Sequence, residues 1–283
     1  MTFITRFAPS PTGPLHLGHA YSALLAHDMA KQAGGEFHLR IEDIDQSRAR
    51  PKWEEQIYDD LAWLGLKWSS PVMRQSERMS TYEHALAQLD AQGLLYRCTC
   101  NRRDIEAAIS APQEGVAPAY GPDGLIYPGT CRNAAHSDGN AALRLDMTKA
   151  CQLIAPQMPL SFIETRPTLA GLQKITATEL IQNVGDIVLA RRDMGTSYHL
   201  SVVLDDAAQD ITDVIRGQDL FDATKIHVLL QHLLGLPIPT YHHHRLIRDE
   251  AGKRLAKRDD ARAIAKYRDD GATPNDIRAL VGL

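Results

Sequence analysis

The apolar positions of this chain switch repeatedly between a period of two and a period of three to four, so short strands and amphipathic helices are predicted to alternate. Residues Thr2 to Phe7 read as a strand, which Pro9, Pro11 and Pro14 forbid from continuing. From Leu15 onward Leu17, Ala20, Leu24, Leu25 and Met29 share one helical face, and Gly34-Gly35 breaks the pattern. Glu36 to Ile41 alternates as a second strand. Pro51 reads as the first position of a helix reaching about Leu64, with Trp53, Ile57, Leu61 and Leu64 on its buried face. A further helix, from Ser76 or Ser80 to Gln92, turns Tyr82, Leu86 and Leu89 inward.

Between Tyr96 and about Arg144 the periodicity fades. This stretch holds three of the four cysteines and a Pro/Gly/Ala-rich run over 111–129, and it reads as an irregular insertion. Strand-like pieces follow at Ala142–Leu145 and Ser161–Glu164, and Asp186 to Ala190 reads as a buried strand where the chain is expected to return to its main sheet. Tyr198 to Leu204 fits a helix or a buried strand equally well. Asp210 to Gly217 reads as a strand ending in a glycine turn, and Phe221 to Leu234 as a helix closed by Pro237 and Pro239. No internal repeat is present, and His242-His243-His244 is too short to be a low-complexity tract. The class predicted is α/β.

Composition bounds what such a chain can be. With 283 residues, 44% hydrophobic and 23% charged, it can bury a substantial core as one large or two modest domains. It has neither the ~18 uninterrupted apolar residues of a spanning helix nor the layout of a signal peptide, so a cytoplasmic protein is expected. A formal net charge of -4 argues against diffuse, whole-surface affinity for nucleic acid. Nine Lys/Arg against four Asp/Glu between Arg245 and Arg268 nevertheless make one C-terminal segment basic, which suits local contact with a phosphate backbone and equally a solvated helical face.

Candidate chemistry begins with the strand, Pro/Gly loop and helix at the N-terminus. That unit aims the amides of a helix N-terminus at whatever sits above the strand, and phosphate is the usual occupant. His16 and His19, three residues apart, can donate hydrogen bonds to phosphoryl oxygens as charge builds on them. Glu42-Asp43-Ile44-Asp45 follows the second strand at the end where open α/β sheets bind ligands. Cys98, Cys100 and Cys131 suit a structural tetrahedral zinc site, with the fourth ligand left to find; His136 is the choice from general zinc chemistry. Arg6 and Arg216 are the candidates for bidentate recognition of a carboxylate. The basic turn around Lys253-Arg254-Leu-Ala-Lys257-Arg258 can neutralise a departing pyrophosphate.

Taken together these motifs carry a resemblance. Pro-Thr-Gly-Pro-Leu-His16-Leu-Gly18-His19 resembles the HIGH motif of class I aminoacyl-tRNA synthetases, with Leu17 in place of Ile, and Arg6-Phe7-Ala8-Pro9-Ser10-Pro-Thr-Gly is similar to the glutamyl branch. Arg-Ile-Glu42-Asp-Ile-Asp and Val-Ile-Arg216-Gly-Gln-Asp-Leu are similar to glutamyl-type segments as well. The basic turn resembles KMSKS in degenerate form, with Ala256 where the family has Ser, Arg254 where it has its first Lys, and Lys257 aligned with the later Lys. Cys-x-Cys followed by Tyr127-x-x-x-Cys131 resembles the zinc pattern of the short glutamyl-type paralogues and implies Tyr127 as fourth ligand.

The resemblance covers almost the whole chain and implies a Rossmann-type parallel sheet split by a zinc-bearing insertion, with a short helical C-terminal extension. The implied boundaries are 1–95 and 186–240 for the two halves of the catalytic domain, 96–185 for the acceptor-binding-like insertion, and 241–283 for the KMSKS-like loop and extension. Arg6, Phe7, Ala8, Pro9, Ser10, Glu42, Tyr198 and Arg216 are implied to hold L-glutamate, Glu42 through the α-amino group. His16, Gly18, His19 and Lys257 are implied to serve ATP with Mg2+, and His16, His19 and Lys257 to be catalytic. Because the chain ends 25 residues after Arg258, no anticodon-reading domain is expected. The resemblance thereby narrows to paralogues, taken to be monomers, that esterify glutamate to the queuosine base of tRNA(Asp).

Overall fold

A computed structural model of the protein describes residues 2–110, 119–134, 141–248 and 262–283. Lys253, Arg254, Ala256, Lys257, Arg258 and His136, singled out above, lie outside the described residues.

Strand β1 (Ile4–Phe7) stops at the Pro-rich loop, and α1 (Leu17–Gln32) carries the chain back to β2 (Glu36–Ile41). The two strands run parallel, with Ile4 opposite Glu36 and Phe7 opposite Leu39. Helix α2 (Pro51–Trp63) starts with Pro51 in its first turn, where the missing N–H costs nothing, and leads to β3 (Ser69–Arg74), parallel to β2. The alternation rule did not reveal β3, which carries Pro71; as the outer strand of β1-β2-β3 it tolerates a residue that cannot donate to a ladder. Helix α3 (Met79–Ala91) then precedes the insertion.

The insertion contains β4 (Leu95–Cys98), α4 (Arg102–Ser110), a small hairpin of β5 (Tyr120–Gly121) and β6 (Gly124–Leu125), and β7 (Ala142–Leu145). Next come α5 (Met147–Leu153), β8 (Leu160–Glu164), β9 (Gly171–Ile175), α6 (Ala177–Glu179), a π-helical turn over Leu180–Val184, and β10 (Val188–Ala190). The chain does not rejoin its main sheet at β10, as the buried run suggested: β10 pairs antiparallel with β7 in the sheet β10-β7-β4. A short apolar run signals burial on both faces but not which sheet it enters.

The remaining elements are α7 (Tyr198–Ala208), β11 (Asp213–Gly217), α8 (Thr224–Leu234), β12 (Thr240–His244), α9 (Ile264–Asp269) and α10 (Pro274–Val281). The ambiguous run at Tyr198 is a helix, capped by Ser197, whose side chain accepts from Leu200 N. Strands β11 and β12 are parallel, β12 runs parallel to β8, and β9 closes that edge antiparallel. Thr212 N donates to Ile4 O (2.9 Å) and Ile4 N to Thr212 Oγ1 (2.8 Å), so β11 is stitched beside β1. The order β3-β2-β1-β11-β12-β8-β9 therefore reverses direction between β1 and β11, and a crevice opens there at the carboxyl ends of the strands.

Two apolar bodies flank this seam. One surrounds α1, α2, β1 and β2 and takes in Ile264, Ile277 and Val281; the other gathers α3, α7, α8, β8 and β10. Arg278 of α10 reaches Asp28 of α1 at 2.6 and 2.9 Å, so the last helix is anchored by charge as well as by burial. The three consecutive histidines, which no periodicity rule marked as structure, form most of an interior strand: β12 lies between β11 and β8, with His243 and His244 buried.

Burial and the nearby Arg216 guanidinium push the His243 imidazole down to about 4, and the same two causes hold His227 of α8 well below its ordinary value. Both are thus neutral in the fold at pH values where an unfolded histidine binds a proton. Acidification from about pH 6.5 toward pH 4 favours the unfolded chain; His243 alone weakens the fold by ~2 kcal/mol at pH 5, and His227 acts in the same direction. The melting temperature is expected to be roughly 5 °C or more lower at pH 5.0 than at pH 7.5, measured by circular dichroism in buffers of matched ionic strength.

Candidate active site

The first functional feature is the start of α1. His16 is its N-cap, and its Nδ1 accepts from Gly18 N at 3.1 Å, while His19 Nδ1 accepts from His16 N at 3.2 Å. The pair is therefore a reciprocal capping box built from two imidazoles, with ring centroids 3.8 Å apart. His16 precedes the helix rather than lying on it, and the two rings meet at its N-terminus with their planes tilted by 33°. Because each Nδ1 accepts a backbone N–H, a neutral ring at either position carries its proton on Nε2. Gly18 allows the close approach, since a Cβ there would sit 3.0 Å from His16 Cε1 and 3.1 Å from Nδ1 and would push the ring by a few tenths of an ångström.

These histidines open onto a cleft of about 440 Å³ at the β1/β11 reversal. Arg6, Phe7, Ala8, Pro9 and Ser10 line it from the β1 loop, Glu42 from the end of β2, Tyr198 from α7 and Arg216 from β11. His16, Gly18 and His19 line it as well, so every described residue assigned to glutamate or ATP converges on one cavity. Leu246 and Ile247 border it just before residue 249, and Ala263, just after 261, forms a β-bridge with His16. A second cavity of about 680 Å³ lies on the insertion side, and Tyr198 and Leu220 line both.

The floor of the cleft is a buried ion network. Arg6 donates from Nε and Nη2 to the two oxygens of Asp206, at 2.8 and 3.1 Å, and Arg40 Nη1 donates to Asp206 Oδ1 at 2.7 Å. Burial alone would raise the Asp206 carboxyl, but the two guanidiniums hold it below the usual carboxylate range. Arg40 also donates from Nη2 to Glu42 Oε1 at 3.2 Å, which aims Glu42 along the cleft wall. Burial pushes the Glu42 carboxyl up, with Arg40 and Arg6 opposing it. The neighbouring Asp205 takes hydrogen bonds from Gln75, Arg78 and Tyr82 at 2.7 to 3.0 Å and ties the network to α3.

Arg216 differs from Arg6 in kind. It is 6% exposed, and among the described residues no carboxylate forms an ion pair with it. Its donors reach His243 Nε2 (3.1 Å), His227 Nδ1 (2.9 Å), Leu220 O (3.2 Å) and Thr224 Oγ1 (2.7 Å). Tyr198 packs edge-on against His227, with centroids 5.7 Å apart. Burial pushes the Tyr198 phenol up, so it is a neutral hydrogen-bonding group at working pH. Arg40, Asp206, His227, Thr224, Glu164 and His243 were not anticipated. The one sequence signal for them was Asp205-Asp206 inside an otherwise apolar run, where charge is rare unless paired.

Away from the cleft, Cys98, Cys100 and Cys131 bring their Sγ atoms within 4.8 Å of one another. The Tyr127 hydroxyl lies 3.5 Å from Cys98 Sγ and 3.4 Å from Cys100 Sγ, and it accepts from Cys131 N at 2.8 Å. Three convergent thiols with a fourth oxygen donor are a donor set that suits zinc. Arg192 Nη2 donates to Cys98 O (3.4 Å) and Cys100 O (3.2 Å), and Arg144 stacks 4.0 Å from the Tyr127 ring, so the cluster sits beside positive charge that offsets thiolates.

Comparison with known proteins places this geometry. Residues 2–283 match the family model described as tRNA synthetases class I (E and Q), catalytic domain. The chain is 62% identical over 285 residues to a protein of Rhodobacter capsulatus named glutamyl-Q tRNA(Asp) synthetase, covering 99% of this chain and 100% of that one. A Symbiobacterium thermophilum protein of the same name is 41% identical, covering 96% of this chain and 83% of that one. The solved glutamate tRNA ligase of Elizabethkingia meningosepticum, in complex with its amino acid, superposes with a TM-score of 0.75 at 27% identity. That match covers 100% of this chain and 61% of the ligase, so the chain spans about three-fifths of the solved protein's length. No helix among the described residues is long and apolar enough to cross a membrane.

The network makes a stability prediction. Asp206→Asn leaves two buried guanidiniums without their shared anion, and it is expected to lower the unfolding free energy by ~3–5 kcal/mol in urea titration. Asp222→Asn, which removes an exposed partner of Lys225, is expected to leave the urea midpoint unmoved.

Proposed function

The chain belongs to the class I tRNA synthetases of the glutamyl and glutaminyl type and is therefore a ligase, and from that premise we propose that it activates L-glutamate with ATP and transfers it to the queuosine base of tRNA(Asp). The single observation that supports glutamate is Arg216, a buried guanidinium that forms no ion pair with a carboxylate among the described residues, at the end of a cleft that also holds Glu42. Burying a cation without a counter-ion is costly, and a ligand carboxylate relieves that cost. Arg216 and Tyr198 accordingly receive the side-chain carboxylate, and Glu42 receives the α-amino group. Arg6, whose charge Asp206 already balances, contributes hydrogen bonding with Ser10 along the β1 loop.

In the first step a glutamate α-carboxylate oxygen attacks the α-phosphorus of ATP, the Pα–O–Pβ bond breaks, and pyrophosphate leaves with Mg2+. The Nε2–H groups dictated by the α1 cap stabilise charge on the phosphate oxygens, and Lys257 serves the departing pyrophosphate. In the second step an acceptor hydroxyl attacks the acyl carbon, the acyl–phosphate bond breaks, and AMP leaves as the hydroxyl proton passes to solvent. No protein nucleophile is required, because holding the reactants in line supplies the catalysis. The acceptor approaches from the insertion side, where the second cavity meets the first at Tyr198 and Leu220. The protein works as a cytoplasmic monomer. Cys98, Cys100, Cys131 and Tyr127 hold one structural zinc that orders the insertion.

The purified protein is expected to catalyse glutamate-dependent ATP–pyrophosphate exchange without tRNA, and to transfer labelled glutamate to tRNA(Asp) only when that tRNA carries queuosine. Undiminished transfer to tRNA lacking queuosine would instead assign it to charging of the tRNA 3′ end. Absence of exchange would mark a tRNA-binding paralogue without catalysis. Elemental analysis is expected to find about one zinc per chain, and Cys131→Ser is expected to lose it and to lower the melting temperature.

A further inference from the structure

Arg216 is held by an ordered array in which the tautomers of its two histidine partners follow from their neighbours. A guanidinium only donates, so His243 Nε2 and His227 Nδ1 must both accept. The proton of His243 then sits on Nδ1, which donates to Glu164 Oε2 at 2.5 Å, while His243 N donates to Glu164 Oε1 at 3.1 Å. The proton of His227 sits on Nε2 and is given to His199 Nδ1 at 3.1 Å. His199 in turn donates from Nε2 to Asp123 Oδ1 at 3.2 Å, and Asp123 lies in the turn of the β5–β6 hairpin. Two chains thus run outward from one guanidinium, Arg216–His243–Glu164 and Arg216–His227–His199–Asp123.

Each chain ends in a carboxylate that never touches the arginine. One imidazole intervenes on the first side and two on the second, so Arg216 is fixed in place by neutral acceptors and, among the described residues, pairs directly with no carboxylate. A carboxylate in direct contact would fix it equally well and would also neutralise it, as Asp206 does for Arg6.

We propose that His227 and His243, backed by His199, Asp123 and Glu164, are positioning residues that hold Arg216 as an un-neutralised cation, and that this spacing makes the site select an anionic amino-acid side chain over its neutral amide. The inference rests on the glutamate reading given above. It makes the insertion hairpin, through Asp123, part of amino-acid recognition although it lies across α7 from the cleft. Glutamine would leave the buried charge uncompensated, which is the strongest form of rejection a polar site offers.

The test is glutamate-dependent ATP–pyrophosphate exchange by the full chain, with KM and kcat measured separately for glutamate and for ATP. His243→Leu and His227→Leu are expected to raise KM for glutamate about tenfold or more, with kcat and the KM for ATP little changed. His243→Gln and His227→Gln, whose carboxamides keep one acceptor and one donor, are expected to restore most of the loss. Leucine variants that fold and keep the wild-type KM for glutamate would overturn the proposal, as would glutamine variants no better than leucine ones, since packing alone would then be at work. Should the leucine variants fail to fold, Asp123→Ala decides from the partly exposed end of the chain. A rise of roughly threefold in KM for glutamate supports the proposal, and an unchanged KM defeats it. Wild-type protein without any exchange would remove the glutamate reading itself and this inference with it, whereas active wild type with indifferent variants removes only the inference.

Discussion

Asp206 is the residue on which the site depends. It draws Arg6 of β1 and Arg40 of β2 onto one carboxylate from α7, joining segments separated by as many as 200 positions in sequence. Taking such charges out of water costs several kcal/mol per ion, and the cost is recovered only where every partner is in place. The network comes close to that condition by extension: Arg40 reaches Glu42 as well, and Asp205 gathers Gln75, Arg78 and Tyr82, while the buried Arg40 Nε makes no hydrogen bond and lies 4.0 Å from Asp205 Oδ2. A floor determined by so many bonds leaves little freedom for Glu42 or the β1 loop, so the cleft above it is formed before any ligand arrives. The same bonds join elements of the two apolar bodies, so the seam where the cleft opens is also a seam that holds the sheet together.

Arg6 and Arg216 are both buried, both on strand ends and both facing the same cleft, yet their electrostatics are opposite. One has its counter-ion built in; the other has been given hydrogen-bond acceptors without charge. The difference follows from which element lies behind each strand. Behind β1 is α7 with Asp206, whereas behind β11 is α8 with His227 and Thr224, and beside it in the sheet is β12 with His243. On the reading proposed above, the positive end-point at Arg216 would give direction to an amino acid that carries two carboxylates and one ammonium. Glu42, raised by burial yet paired with Arg40, offers the complementary negative point.

Much of the scaffold was legible in the sequence because its helices and inner strands follow simple periods. Glu36–Ile41 and Ala142–Leu145 have the bounds that alternation suggested, and Pro51 begins α2 as proline rules require. The failures have physical causes. Strand β3 contains a proline that only an edge position excuses, β12 is made of histidines that no hydropathy pattern marks as interior, and β10 joins a sheet that local sequence cannot specify. The site divides in the same way. Residues inside contiguous motifs, such as His16, Glu42 and Arg216, could be named, and the cleft brings them together. Asp206, His227, His243 and Glu164 belong to no motif, since their roles arise from pairings between distant segments, and a single sequence carries no record of such pairings.

The start of α1 shows why motif and fold are not separable here. A helix N-terminus needs acceptors for its exposed N–H groups, and Ser, Thr, Asp or Asn usually supplies them. Here imidazole Nδ1 atoms do so, which stabilises the helix by ~1 kcal/mol and at the same time selects one tautomer for each ring. A serine cap would serve the helix as well but would leave no ring N–H beside the cleft. Gly18 completes the device, because a Cβ there would press on the His16 ring where it folds back over its own helix. Helix stability, ring orientation and proton placement are thus three consequences of the same two hydrogen bonds, so a substitution cannot remove the chemistry at this loop while leaving the fold at that point untouched.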